Sequence, residues 1–158
     1  VVDKKLIVGP NKLTGEWGQN PIPGPMDDYE KSIKRHCGRI GAIEVFLSGP
    51  GLEKWYEFST GVKKNSKEVV ELFRGGEEEA IGIMDKYFER TAKAFSTFIN
   101  ILDPDVIVLG GGMSDIDEIY DVIPKKIISY IASDTFLTPI SKAKHGSASG
   151  VRGAAHLW

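Results

Sequence analysis

A single cysteine, Cys37, stands in the whole chain. No disulfide can therefore close within it, and a reducing, cytoplasmic setting is expected. Apolar runs approaching the ~20 residues of a membrane span are absent, as is the charged-then-apolar opening of a secretory leader, so no membrane partner is expected. Charge of one sign is not in excess either. The 20 basic and 22 acidic residues leave a net charge of −2, which offers no basic surface for nucleic acid. Of the three histidines, His145 and His156 have no cysteine or carboxylate close by in sequence, and both read as surface or helix-end residues. No internal repeat is present.

What is there suffices for one domain. A chain of 158 residues buries roughly 70% of its unfolded surface. Val1–Val8 reads as a hairpin edge around Asp3-Lys4-Lys5 and ends at Gly9-Pro10-Asn11. Residues 20–36 read as a Pro- and Gly-bearing linker. Gly41–Leu47 is expected to begin a helix that Gly49-Pro50-Gly51 breaks and 52–58 resumes. Ser66 is placed as the N-cap of a helix carrying Val69, Val70, Leu72 and Phe73, which Gly75-Gly76 stops. The longest helix is expected over 77–102, with a core stripe of Ile81, Met84, Tyr87, Phe88, Ala92, Phe95, Ile99 and Leu102. After Asp103-Pro104-Asp105, Val106–Leu109 reads as a strand buried on both faces, as in a parallel sheet. Gly110-Gly111-Gly112 follows. Ser114 with Asp117 reads as a capping pair for a helix with stripe Ile116, Ile119, Tyr120, Ile123 and Ile127, kinked at Pro124. Residues 138–144 read as an edge strand and 150–157 as a closing helix. This alternation gives the α/β class.

Two features carry chemistry. The glycines after the strand let a ligand approach the backbone, and the helix start that follows offers free N–H groups to anions; the spacing is neither a dinucleotide fingerprint nor a Walker A loop. The other is the stretch 15–52, with six glycines after Gly15 and four prolines. A polar, glycine-bearing segment of that length inside a domain is usually functional or disordered, and Trp17 with the run 43–47 argues for order. It holds two isolated carboxylates, Glu16 and Glu44, and a carboxylate can accept from two hydroxyls of a sugar at once.

Read together, Gly15-Glu16-Trp17-Gly18-Gln19, then Cys37-Gly38-Arg39-Ile40-Gly41-Ala42-Ile43-Glu44, then Ser48-Gly49-Pro50-Gly51 resembles the signature of the ROK family of repressors and sugar kinases. GEWG followed by Asn20-Pro21 and Pro23 is most similar to its bacterial fructokinase branch. The resemblance runs on through 103–114 to 142–155, where Gly150, Arg152 and Gly153 match a segment packing between lobes. It implies an actin-like (ribonuclease-H-like) ATPase fold, with residues 1–158 as the C-terminal lobe and the N-terminal lobe absent. It implies ATP- and Mg2+-dependent phosphorylation of a hexose, fructose favoured, with Glu16, Gln19 and Glu44 on the sugar and Gly110, Gly111 and Gly112 on the adenosine side. The catalytic base would be an Asp of the other lobe. The chain alone is then expected to be inactive, to need its N-terminal lobe as partner, and to form a homodimer.

The resemblance also implies a structural zinc, and here the sequence departs from the pattern. The ligand positions hold Gln19, Arg35, Cys37 and Ala42, with His36 at a non-ligand position. Closed zinc sites take four N or S ligands, so the zinc is expected to be lost and Cys37 to remain as a partly buried thiol. A ROK-type repressor or a kinase-like pseudoenzyme are the alternatives.

Overall fold

The computed structural model describes residues 1–35 and 38–155; the expectations for His36, Cys37 and His156 lie outside them. The chain forms two compact units, Val1–Val45 and Phe46–Trp158.

The first unit is held by short pairings rather than by long elements. Val2 and Lys5 exchange both backbone hydrogen bonds at 2.9 Å. Asp3 and Lys4 both have positive φ, as a two-residue hairpin turn requires. No strand continues from this bridge, so the expected hairpin edge is reduced to its turn, and Leu6 stays 77% exposed. A one-turn 3-10 helix spans Glu16–Gln19. The presumed linker contains a helix, α1 (Asp28–Ser32), fixed by a reciprocal capping box in which Asp27 Oδ1 accepts from the Glu30 N–H and Glu30 Oε2 from the Asp27 N–H. Antiparallel bridges join Pro21 to Ala42 and Lys34 to Ile40. Ile22, Tyr29, Ala42 and Ile43 are buried.

Helix α2 (Ile43–Leu47) leads into α3 (Gly49–Thr60). Gly49-Pro50-Gly51 does not break the helix but opens it. Proline in a first turn forfeits no hydrogen bond, and Ser48 Oγ accepts from the Gly51 N–H at 3.2 Å. In α4 (Ser66–Arg74) the cap is Asn65, in a reciprocal box with Glu68. Ser66 is already helical, and its N–H is taken by Glu53 Oε1 at 3.0 Å.

The spine of the second unit is α5 (Glu78–Leu102), against which α3, α4 and α6 (Glu118–Ile127) pack. Met84, Tyr87, Phe88, Ala92, Phe95 and Ile99 are buried as expected. Ile83, rather than Ile81 at 44% exposure, fills the first turns, and Leu102 is 55% exposed. From α6, Ile119, Ile123 and Ile127 are buried, together with Ile116 just ahead of it, and Pro124 lies within the helix. Strands β1 (Ile107–Leu109) and β2 (Ile140–Lys142) pair in parallel, Ile107 opposite Ile140. Burial on both faces is not found. Ile107 is buried, whereas Val106 and Val108 are 48% and 59% exposed, so the two-stranded sheet buries one face here and leaves the other largely open. The last element among the described residues is α7 (Ser149–Ala155).

Arg74 and Glu118 tie α4 to α6 in a bidentate pair at 2.7 and 2.8 Å. The Arg74 hydrogen bonds hold the Glu118 carboxyl below its ordinary value of 4.5. A carboxyl with a depressed folded pKa stabilises above its unfolded pKa and loses that contribution as pH falls through the folded one. The pair is partly exposed, so Arg74→Met is expected to cost about 0.2–1 kcal/mol at pH 7, and less as the pH drops below 4.5. Urea unfolding at several pH values checks this. A deficit that stays constant down to pH 3 would assign the effect to packing of the Arg74 stem.

Candidate functional site

In the first unit, two residues 25 apart in sequence meet. Gln19 Nε2 donates to Glu44 Oε2 at 2.9 Å. The backbone accounts for the meeting: across the Pro21–Ala42 bridge the Ile22 N–H donates to the Gly41 carbonyl at 2.7 Å and the Ile43 N–H to the Asn20 carbonyl at 2.9 Å. Proline lacks an N–H, so these flanking residues carry the bridge. Gly18 permits the close approach, since a Cβ there would sit 3.2 Å from Glu44 Cβ.

Arg35 completes the group. Its Nη2 lies 2.7 Å from Glu44 Oε1, and its Nη1 donates to Gln19 Oε1. The Arg35 side chain is 12% exposed and that of Glu44 41%, so the carboxylate keeps a face open to water. A cavity of about 770 Å³ is walled by Glu16, Trp17, Gln19 and Arg39, among others, within the size range of small-molecule sites. Gln19 belongs to both features: it lines the cavity and bonds Glu44. Glu16 shares its 3-10 turn and is exposed. The three sequence-predicted sugar residues thus all lie in this unit. The part of Arg35 was not foreseen beyond its place as a vacated metal-ligand position.

The residues at the zinc positions do not fit the metal. Ala42 offers only a methyl group and is 1% exposed. Arg35 brings a second cation where Zn2+ would need an electron-pair donor. Among the described residues, no group of three or more His, Cys, Asp or Glu could hold a metal ion.

In the second unit the glycine run leaves β1 at its carboxyl end. Gly111 has φ +82 and ψ 179, a region essentially confined to glycine. The chain then turns through a 3-10 helix, Gly112–Asp115. Ser114 is not the cap of α6. Its Oγ donates back to the Gly111 carbonyl at 2.6 Å, and Asp117 makes no side-chain cap. The turn is pinned from outside: Tyr120 Oη donates to the Ser114 carbonyl at 2.8 Å, and Lys142 Nζ lies 2.9 Å from Asp115 Oδ1. Burial raises the Tyr120 phenol pKa and the Asp115 hydrogen bond raises that of Lys142, so both donors keep their protons at neutral pH. Beside the turn lies a cavity of about 390 Å³, walled by Ser66, Val70, Arg74, Gly112, Met113 and Ile116, among others. A Cβ at Gly111 or Gly112 would meet no atom within 4 Å, so the backbone there is open to a ligand, whereas Gly110 faces Ala143 at 3.8 Å. No described helix is long and apolar enough to cross a membrane.

The protein-family model described as ROK family matches residues 1–158. An N-acetyl-D-glucosamine kinase of Pectobacterium atrosepticum is 35% identical over an alignment covering 99% of this chain and 53% of that protein. The chain spans about half the length of the curated relatives it matches. A ROK hexokinase of Thermus thermophilus superposes with a TM-score of 0.78 at 22% identity, over 96% of this chain and 49% of that one. A ROK glucokinase of Streptomyces griseus, solved with glucose and AMPPNP, superposes with a TM-score of 0.75 at 20% identity, over 92% and 51%. Both likenesses establish the fold, the actin-like α/β class expected from the sequence.

Proposed function

The chain belongs to the ROK family, and on that footing we propose that it supplies part of the hexose site and the adenosine side of the nucleotide site of an ATP-dependent sugar kinase. The observation that carries this reading is the Gln19–Glu44 hydrogen bond at 2.9 Å. It gathers a neutral amide and a half-open carboxylate beside a cavity that Glu16 also lines. Glu16 and Glu44 would accept from sugar hydroxyls, Glu44 through the part of its carboxylate left exposed. In the second unit, Gly111 and Gly112 would let adenosine lie against the backbone, with Gly110 serving the turn. ATP supplies the phosphoryl group. Mg2+ would neutralise its phosphates, and no residue of this chain is assigned to that ion.

Fructose, favoured by the GEWG resemblance, gains no support from the relatives named above, one of which is an N-acetyl-D-glucosamine kinase. The aminosugar is therefore the first substrate to test and fructose the second. The base implied by the resemblance belongs to the other lobe, so residues 1–158 alone are expected to transfer no phosphate. A coupled ADP-release assay on the intact protein, with N-acetylglucosamine, glucose, mannose and fructose in turn, tests the reading. Turnover with one hexose supports it. ATP binding without turnover on any of them would favour a kinase-like protein that binds but does not react.

A further inference from the structure

We propose that Arg35 is a positioning residue for the sugar site: its guanidinium, rather than a bound metal, supplies the positive charge that holds Gln19 and Glu44 in place. The inference rests on the sugar-site reading above. Three side chains close a ring, in which Arg35 Nη2 sits 2.7 Å from Glu44 Oε1, Arg35 Nη1 donates to Gln19 Oε1, and Gln19 Nε2 donates to Glu44 Oε2 at 2.9 Å. A guanidinium only donates. The amide oxygen of Gln19 must therefore face it, which leaves the amide nitrogen to face the carboxylate. The cation thus sets the orientation of Gln19 and, through both oxygens, that of Glu44.

The arrangement has a back and a front. Arg35 is 12% exposed and Glu44 41%, so the cation lies behind and the carboxylate presents its free lone pairs outward. An ionised carboxylate has about four acceptor sites; two are taken by the ring and the rest remain for hydroxyls. Arg35 is itself held by a hairpin, its N–H donating to the Arg39 carbonyl and its carbonyl accepting from the Gly38 N–H, both at 2.9 Å. Lysine, a point charge without a fork, cannot hold two different acceptors at fixed angles.

The test uses the intact protein with Arg35→Met, Arg35→Lys and Glu44→Gln, and the double variant Arg35→Met with Glu44→Gln. Arg35→Met is expected to raise the sugar KM roughly tenfold to a hundredfold, the scale of losing a charged hydrogen bond, with the ATP KM unchanged. Arg35→Lys is expected to recover only part of this. Once Glu44 is Gln, removing Arg35 should change little further, because the two act through one ring. If Arg35→Met does not fold, Arg35→Lys is read by the same split of sugar against ATP. The purified parent should hold no stoichiometric zinc, and a chelator should leave its melting temperature unchanged. A zinc content of about one per chain, as a closed site would give, overturns the proposal. So does a normal sugar KM in Arg35→Met when Glu44→Gln raises it, or an equal loss for sugar and ATP that tracks the folded fraction. If neither Glu44→Gln nor Arg35→Met moves the sugar KM, the sugar-site reading falls with it.

Discussion

Gly112→Val is expected to abolish ATP binding by the intact protein while changing its stability by no more than about 0.5 kcal/mol, as for a surface substitution. The two halves of this expectation have separate causes. Gly112 opens a 3-10 turn, and a Cβ there meets nothing within 4 Å, so the chain itself accommodates the side chain. Gly112 also walls the 390 Å³ cavity, so the added isopropyl group stands where the nucleotide would lie. Gly111→Val is the contrasting variant. Space is open there too, but φ is +82. A β-branched residue can relieve that conformation only by re-routing the loop, at a cost on the order of 1–3 kcal/mol. The backbone angle at Gly111 therefore makes Gly112 the cleaner probe. Isothermal titration with AMPPNP, paired with urea unfolding, separates the two variants. A Gly112→Val protein that binds nucleotide normally would reduce the glycine run to a strand-to-helix turn.

What could be read from the sequence was what repeats at a fixed period. The middle of the α5 stripe and the isoleucines of α6 follow from spacing, because burial of one helix face imposes that spacing; the strand at Ile107 shows instead as a short aliphatic run after a turn. Single-residue decisions were harder to read. Asn65 and Ser66 are both good caps, and the choice falls on Asn65 because Glu68, three residues on, closes its box while Glu53 takes the Ser66 N–H. Asp27 and Glu30 carry the same spacing within a segment that composition marks as linker. The exposure of Val108 was hidden for another reason: a run of aliphatic residues reports apolar surface, not what covers it. In the candidate site, Glu16, Gln19 and Glu44 were found by resemblance. Arg35 was visible only as a missing cysteine. Its pairing with Glu44 depends on the hairpin at Lys34 and Ile40, a tertiary register that no local pattern encodes.

Glu44→Ala and Glu16→Ala are both expected to impair sugar use by roughly tenfold to a hundredfold in kcat/KM, leaving the ATP KM unchanged. They should differ in what else they cost. Glu44 is paired to Arg35 at 2.7 Å, and Arg35 is only 12% exposed. Truncating Glu44 leaves that cation desolvated without its partner, which destabilises beyond any loss of binding. It also removes the acceptor that orients Gln19 Nε2. Glu16 lies exposed at the start of a 3-10 turn, so Glu16→Ala should leave the unfolding midpoint where it is. Glu44→Gln preserves volume and one acceptor oxygen and should fall between the two in stability. Steady-state kinetics against both substrates, with chemical unfolding of each variant, gives the comparison. Unchanged sugar kinetics in both alanine variants would remove these carboxylates from the site. An unfolding midpoint that drops equally in the two would mean that Glu16 is structural, and that the cavity it lines is not where the sugar binds.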